Sequence, residues 1–203
     1  MENSQLTYHE QIVPYSRKEL VKKLKDALTE SRYQHVLRVE QTAIELAQRN
    51  GVDPERASVA GLVHDYAKQR PAADFIQAIK TYQLDPILLD YGNAVWHGVV
   101  GWLFVKNELQ INDIEVLNAV KYHTVGHQYM TPLEQIVYMA DYIEPGREFP
   151  GVDEARKITF DNLQKGVAYQ TKQTLGYLVA HNKPVFPQTI YTYNSWVPKF
   201  DLN

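Results

Sequence analysis

The stretch "GLVHDYAKQRP", residues 61–71, sets His64 and Asp65 side by side after an apolar run. An isolated pair of this kind is most simply a hydrogen-bonded core histidine next to a surface aspartate, because unpaired charge is rarely buried. Further residues of the same chemistry shift that balance. His35, His97, His123 and Asp141 also fall within or beside apolar runs. Neutral imidazoles and carboxylates suit iron, manganese or zinc when thiolates are absent, and the chain has no cysteine. A carboxylate has two oxygens, so one aspartate can bridge two ions roughly 3.5–4 Å apart. A buried carboxylate also has a strong reason to bind metal, since an unpaired buried charge is costly.

These six residues must be delivered by a frame, and the pattern is helical almost throughout. Ser16 with Glu19 forms a capping box ahead of a helix over residues 17–30. Ser31 with Gln34 opens a second helix whose apolar face includes Tyr33, Leu37, Ile44 and Ala47, and Gly51 suits its end. Asp53-Pro54 starts a third, carrying His64, Asp65 and Lys68 before Pro71 stops it. Shorter helices are expected at 72–82, 86–91, 94–108 and 113–123. Thr131-Pro132 with Glu134 opens another that ends at Pro145-Gly146. Asp153 and Asp161 can cap two more, the second reaching about His181, and the aromatic, proline-broken tail reads as a short helix flanked by loops. Alternating runs are scarce and no long repeat is visible, so the expected fold is all-α, a single helical bundle. Ligands drawn from five helices can meet only in its core.

Composition bounds the partners. With 203 residues, 44% of them apolar, the chain can bury one substantial core. A net charge of -3 with interspersed signs gives no basic footprint, which argues against a nucleic-acid partner. The N-terminal residues lack a signal-peptide pattern, and no apolar run approaches the roughly 20 residues that span a bilayer. A cytoplasmic protein with no membrane partner is the expectation.

The order H…HD…H…H…D resembles the HD-domain superfamily of metal-dependent phosphohydrolases. The segments "HVLRVEQTAIELAQRNGVD", "AGLVHDYAK", "WHGVVGW", "YHTVGHQYMTPLEQIVYMADYIEPGR" and "FPGVDEAR" are similar to one branch of it. That branch, the YqeK-type proteins, hydrolyses diadenosine tetraphosphate symmetrically to two ADP. The likeness runs from about Ser16 to Asn194, so residues 16–198 read as one HD domain and 1–15 as an N-terminal extension of low structural commitment.

The resemblance implies a two-iron centre, with manganese, cobalt or zinc as other possible ions. His35, His64 and Asp141 would hold one ion, His97 and His123 the other, with Asp65 bridging and a water activated between them. Lys68 and Arg147 are the expected charged partners of the phosphate chain, with Arg32 and Thr124 at the same cavity. For the nucleoside the resemblance points to Pro184, Val185, Phe186, Pro187, Gln188 and Thr189, with Asn194. The family pattern carries Arg or Lys near His127. This imidazole is only partly charged at neutral pH, so either phosphate binding is shared differently or His127 donates a proton. His9 and His181 lie outside the pattern and read as surface residues. Competing readings are an HD phosphohydrolase acting on deoxynucleoside monophosphates or guanosine polyphosphates, a nucleotide sensor, and a structural metal site. The oligomeric state stays open, a homodimer included.

Overall fold

The computed structural model describes residues 6–202, all helix, turn and loop with no strand among them. Residues 1–5 of the expected extension lie outside the described residues. Helix α1 spans Arg17–Ala27, opened by the Ser16–Glu19 capping box, and buries Leu20 and Leu24. α2 spans Glu30–Asn50 and closes on Gly51, whose φ of 66° is the left-handed conformation glycine adopts without penalty. α3 spans Pro54–Val63 behind the Asp53 cap. α4 (Ala72–Thr81), a 3-10 turn (Pro86–Asp90), α5 (Asn93–Val99) and α6 (Trp102–Glu108) build a lobe around Phe75, Trp96 and Leu103. α7 (Ile114–Tyr122) and α8 (Pro132–Ile143) return to the main core, followed by α9 (Val152–Asp161), α10 (Leu163–Ala180) and α11 (Pro187–Trp196). The central helix is α8, which packs against α2, α3, α7, α9 and α10 and is buried along most of its length. Among the described residues no helix is long and apolar enough to cross a membrane.

Several local expectations are corrected. α2 begins at Glu30 with Thr29 as its cap, two residues ahead of the expected Ser31. Its buried row is His35, Val36, Val39, Ala43, Leu46 and Ala47, with Tyr33, Leu37 and Ile44 on the flank. The expected helix over 94–108 breaks at Val100–Gly101. There the Gly101 amide reaches back to the Trp96 carbonyl at 2.9 Å, and a Cβ would lie 1.8 Å from the His97 carbonyl oxygen. The caps of α9 and α10 are Gly151 and Asn162, not Asp153 and Asp161, which are helical residues.

α3 also stops early, at Val63, and this bears on the site. His64 Nδ1 lies 2.7 Å from the Gly61 carbonyl, the acceptor that a continuing α-helix would offer to the Asp65 amide. The chain then proceeds through tighter turns, Lys68 N–H bonding the Asp65 carbonyl at 2.9 Å. The adjacent pair therefore sits at a helix end, where two neighbouring side chains can diverge.

The segment before α1 is packed. Ile12 and Val13 are buried, Tyr8 Oη is 2.6 Å from Ser58 Oγ, and His9, exposed as expected, reaches Glu55 at 2.6 Å. Below it the fully buried Glu40 accepts from Arg17 Nε at 2.7 Å, Arg17 Nη2 at 2.6 Å and Ser58 Oγ at 2.7 Å, tying α1, α2 and α3 together. α2 and α3 are in close contact at Gly61, where a Cβ would stand 3.0 Å from Glu40 Cα and 3.2 Å from its backbone nitrogen. Neither atom can move without displacing a helix. Gly61→Ala is expected to destabilise the fold by about 1–3 kcal/mol through overpacking, read as a lower midpoint in urea denaturation.

Candidate metal centre

Five helices contribute. α2 supplies Arg32 and His35, and the end of α3 supplies His64 and Asp65. α5 supplies His97, the end of α7 supplies His123, and α8 supplies Asp141. The imidazoles are oriented by the same device. His64 Nδ1 bonds the Gly61 carbonyl at 2.7 Å, His97 Nδ1 the Asn93 carbonyl at 2.6 Å, and His123 Nδ1 the Val120 carbonyl at 2.7 Å. His35 Nδ1 lies 3.1 Å from Glu144 Oε1. A carbonyl can only accept, so each of the first three rings carries a proton on Nδ1 and turns its Nε2 toward Asp65. The rings gather edge to face, His35–His64 at 5.3 Å and His64–His123 and His97–His123 at 5.0 Å between centroids.

Asp65 lies between them and divides its oxygens. Oδ2 is 3.6 Å from both His35 Nε2 and His64 Nε2, whereas Oδ1 is 3.5 Å from His97 Nε2 and 3.7 Å from His123 Nε2. Asp141 Oδ1 closes the first group at 3.1 Å from His35 Nε2 and 3.7 Å from His64 Nε2. Most of these separations are too long for hydrogen bonds. They match the spacing of donors on one ion, since two ligands about 2.1 Å from a tetrahedral metal stand roughly 3.4 Å apart. His35 Nε2, His64 Nε2 and Asp65 Oδ1 are buried without a hydrogen-bond partner. Orphaned buried acceptors are costly, and a metal ion satisfies all three. The trios His35–His64–Asp141 and His64–Asp65–His123 each bring their donor atoms within 4.8 Å of one another. The residues present fit a metal centre.

Charge in the cluster follows from burial and proximity. Burial alone would raise the Asp65 carboxyl, but the imidazoles around it, His64 foremost, hold it well below the usual carboxylate range. Asp141 is held down likewise by His35, His64 and Arg147 against its own burial. Burial, with the nearby His123 and Lys68, pushes His97 down to about 3, so this ring is neutral and ligand-competent. Burial also lowers Lys68 from the ordinary lysine range.

The expected phosphate-binding residues border this cluster. Lys68, placed by a turn rather than a continuing helix, sets its Nζ 3.0 Å from His97 Nε2, and Thr124 Oγ1 is 3.2 Å from the same atom. Arg32 Nη1 reaches Asp65 Oδ2 at 2.7 Å. Arg147 bonds the Asp141 carboxylate and, through Nε at 2.8 Å, its carbonyl. On the strap that follows α10, the Val185 carbonyl accepts from Tyr91 Oη at 3.1 Å and Phe186 meets the Tyr91 ring edge-on at 5.0 Å. Pro187, Gln188 and Thr189 form the first turn of α11, Thr189 is buried, and Pro184 and Asn194 are exposed. His127 stacks on Tyr122 at 4.5 Å, and its carbonyl accepts from Trp196 Nε1 at 2.8 Å, so its contacts are with α7 and α11.

Sequence reasoning missed the groups behind the ligands. Glu144 is buried, bonds His35 from behind, and accepts from Arg38 Nε at 2.6 Å and from the Gly146 amide. Arg156 of α9 donates to the carbonyls of Ile143 (3.0 Å), Glu144 (3.0 Å) and Arg147 (2.9 Å), fixing the turn that carries Arg147. The only hint was a glutamate directly after a ligand-bearing helix.

Comparison with known proteins agrees with this geometry. Residues 32–146 match the family model described as HD domain. The symmetrical bis(5'-nucleosyl)-tetraphosphatase of Bacillus subtilis (strain 168) is 44% identical over 179 residues, 88% of this chain and 96% of that protein. The protein of the same name from Staphylococcus aureus (strain NCTC 8325 / PS 47) is 40% identical over 168 residues, 82% of this chain and 87% of its own. Among solved structures, one described as a predicted HD superfamily hydrolase involved in NAD metabolism, from Clostridium acetobutylicum, superposes with a TM-score of 0.86 at 36% identity. That match covers 92% of this chain and 99% of the other.

Two substitutions separate the roles within the cluster. Asp65→Ala is expected to lose all bound metal, because each of its oxygens faces a different histidine pair, and elemental analysis of the purified variant reads this directly. Retention of one ion per chain would show that Asp65 serves a single position. Glu144→Ala keeps every ligand but frees the His35 ring, and metal affinity should fall about 10- to 100-fold in chelator competition.

Proposed function

Because the chain belongs to the HD-domain family, we propose that it hydrolyses dinucleoside tetraphosphates symmetrically, converting diadenosine tetraphosphate to two ADP. The observation that carries this reading is the divided Asp65 carboxylate, one oxygen toward His35 and His64 and the other toward His97 and His123. His35, His64 and Asp141 would hold one ion and His97 and His123 the other, with Asp65 shared. Iron is the proposed metal, and manganese, cobalt and zinc also suit a thiol-free set of imidazoles and carboxylates. When bound, such ions acidify a water and neutralise charge on the attacked phosphate.

The chain's own groups then hold the substrate. Lys68, Arg32 and Arg147 ring the cluster with positive charge and meet a polyanionic chain, Arg147 with a fork suited to phosphate oxygens. The leaving group is a nucleoside diphosphate, a weak base, so no strong general acid is required. One adenosine lies under the strap, with Phe186 available for stacking and backbone groups for the base edge. Strap and cluster together act as a ruler, and the fixed distance between them selects the second phosphorus from the held end. We place the reaction in the cytoplasm, whose reducing conditions suit a chain whose chemistry uses no disulfide.

Incubation with diadenosine tetraphosphate in isotopically labelled water, with products resolved by mass, is expected to give ADP alone, half of it labelled. AMP with ATP, or faster phosphate release from a deoxynucleoside monophosphate, overturns the assignment. Lys68→Ala should lower kcat/KM by about ten- to a hundred-fold through loss of one charge-assisted contact while metal content is retained. Kinetics equal to wild type would remove Lys68 from the site.

A further inference from the structure

Diadenosine tetraphosphate has two identical ends, and the strap accounts for one of them, against Tyr91 just ahead of the helix α5 that carries His97. A second aromatic site lies between α8 and α10. α8 and α10 run side by side in the same direction, with Tyr138 Oη 3.1 Å from Thr171 Oγ1. About one turn further along both helices, Tyr142, Gln173, Thr174 and Tyr177 line a cavity of about 500 Å³ together with Phe149 and Pro150. Tyr142 follows the ligand Asp141 in sequence, and Phe149 stands two residues beyond Arg147. The cavity therefore belongs to the C-terminal end of α8, the end that delivers Asp141 to His35 and His64.

Its chemistry selects the occupant. None of the six lining residues is charged, so a phosphate finds no counter-ion there, whereas a flat, neutral purine finds aromatic faces. The Tyr142 and Phe149 rings stand 4.8 Å apart at 54°, and Tyr177, 56% exposed, forms the rim with the His181 ring 4.1 Å behind it. Gln173 and Thr174 offer donors and acceptors to a base edge, and the volume lies in the range of nucleotide-sized pockets. We propose that this cavity is a second nucleoside subsite, which takes the base of the substrate half that the strap does not hold. The proposal rests on the tetraphosphatase reading above. It makes the enzyme a two-ended clamp, with aromatic seats on the His97 side and on the Asp141 side and the centre of the phosphate chain over Asp65.

A clamp of this kind distinguishes substrates with two nucleosides from those with one. The test compares diadenosine tetraphosphate with adenosine 5′-tetraphosphate on the same metal-loaded preparations of full-length wild type, Phe149→Ala, Tyr177→Ala and Phe149→Tyr. The ratio of the two kcat/KM values should fall roughly ten-fold in each alanine variant, the worth of one stacked base, and Phe149→Tyr should keep the wild-type ratio. Partial misfolding lowers both rates and leaves the ratio intact, so it cannot imitate the expected result. An unchanged ratio in both alanine variants overturns the subsite, as does an unchanged ratio accompanied by loss of a dimer in light scattering, which would assign the patch to a second copy of the chain. Wild type that leaves diadenosine tetraphosphate intact overturns the tetraphosphatase reading itself, and the subsite with it.

Discussion

One carboxylate governs this molecule. Asp65 is 2% exposed and sits among four imidazoles, two facing each oxygen. A bare carboxylate in such a place would cost several kcal/mol; Arg32 meets Oδ2 at 2.7 Å, whereas Oδ1 has no hydrogen-bond partner and would be satisfied by an ion. That demand dictates the architecture around it. The groups around it come from five helices, because no single helix can surround a point, and the ends of α3, α7 and α8 meet there as a result.

The local structure is arranged so that these ends hold still. His64 and His123 each bond a carbonyl three residues earlier, at the place where their helices stop, so the imidazole takes up an acceptor that the terminating helix would otherwise leave without a partner. Termination and ligand orientation are thus the same event. On α8 the task passes to Glu144, which bonds His35 and is held in turn by Arg38, while Arg156 fastens the following turn. Glycine at position 146 leaves room for this arrangement, since a Cβ would lie 2.5 Å from Arg38 Nε and push the guanidinium off Glu144.

How much of this was legible in the sequence varied with the kind of signal. Histidines and aspartates inside apolar runs stood out because burial of such groups is expensive, so all six cluster residues could be named before any coordinates. The helical frame was legible for the same reason, through caps such as Ser16–Glu19 and Thr131–Glu134. The break at Gly101 was hidden, since glycine in an apolar run signals neither a stop nor a continuation and the deciding contact with the His97 carbonyl is local geometry. The face of α2 was only partly legible: Ala47 is fully buried and Tyr33 and Leu37 pack half-buried against the core, but the centre of the buried row lies at Val36, Val39 and Ala43. Glu144 was out of reach because its partners lie on α2, more than a hundred positions earlier, and a glutamate near a helix end is ordinarily a solvated one. The cavity beside Tyr142 joins residues of α8, the following loop and α10, a grouping that no linear pattern announces.

The seat of α11 bears on how such a protein can diverge. Thr192 Oγ1 donates to the Val125 carbonyl at 2.9 Å, and a Cβ on Gly126, whose φ is 68°, would stand 2.5 Å from the Thr192 methyl carbon. Val125 and Gly126 immediately follow His123 and Thr124, so the helix that continues from the strap is sewn to the turn that bears a metal-cluster histidine. Insertions or deletions in the strap that shifted α11 would therefore pull on His123. Change on the strap is thus constrained to the exchange of side chains at a fixed length rather than the rebuilding of its backbone.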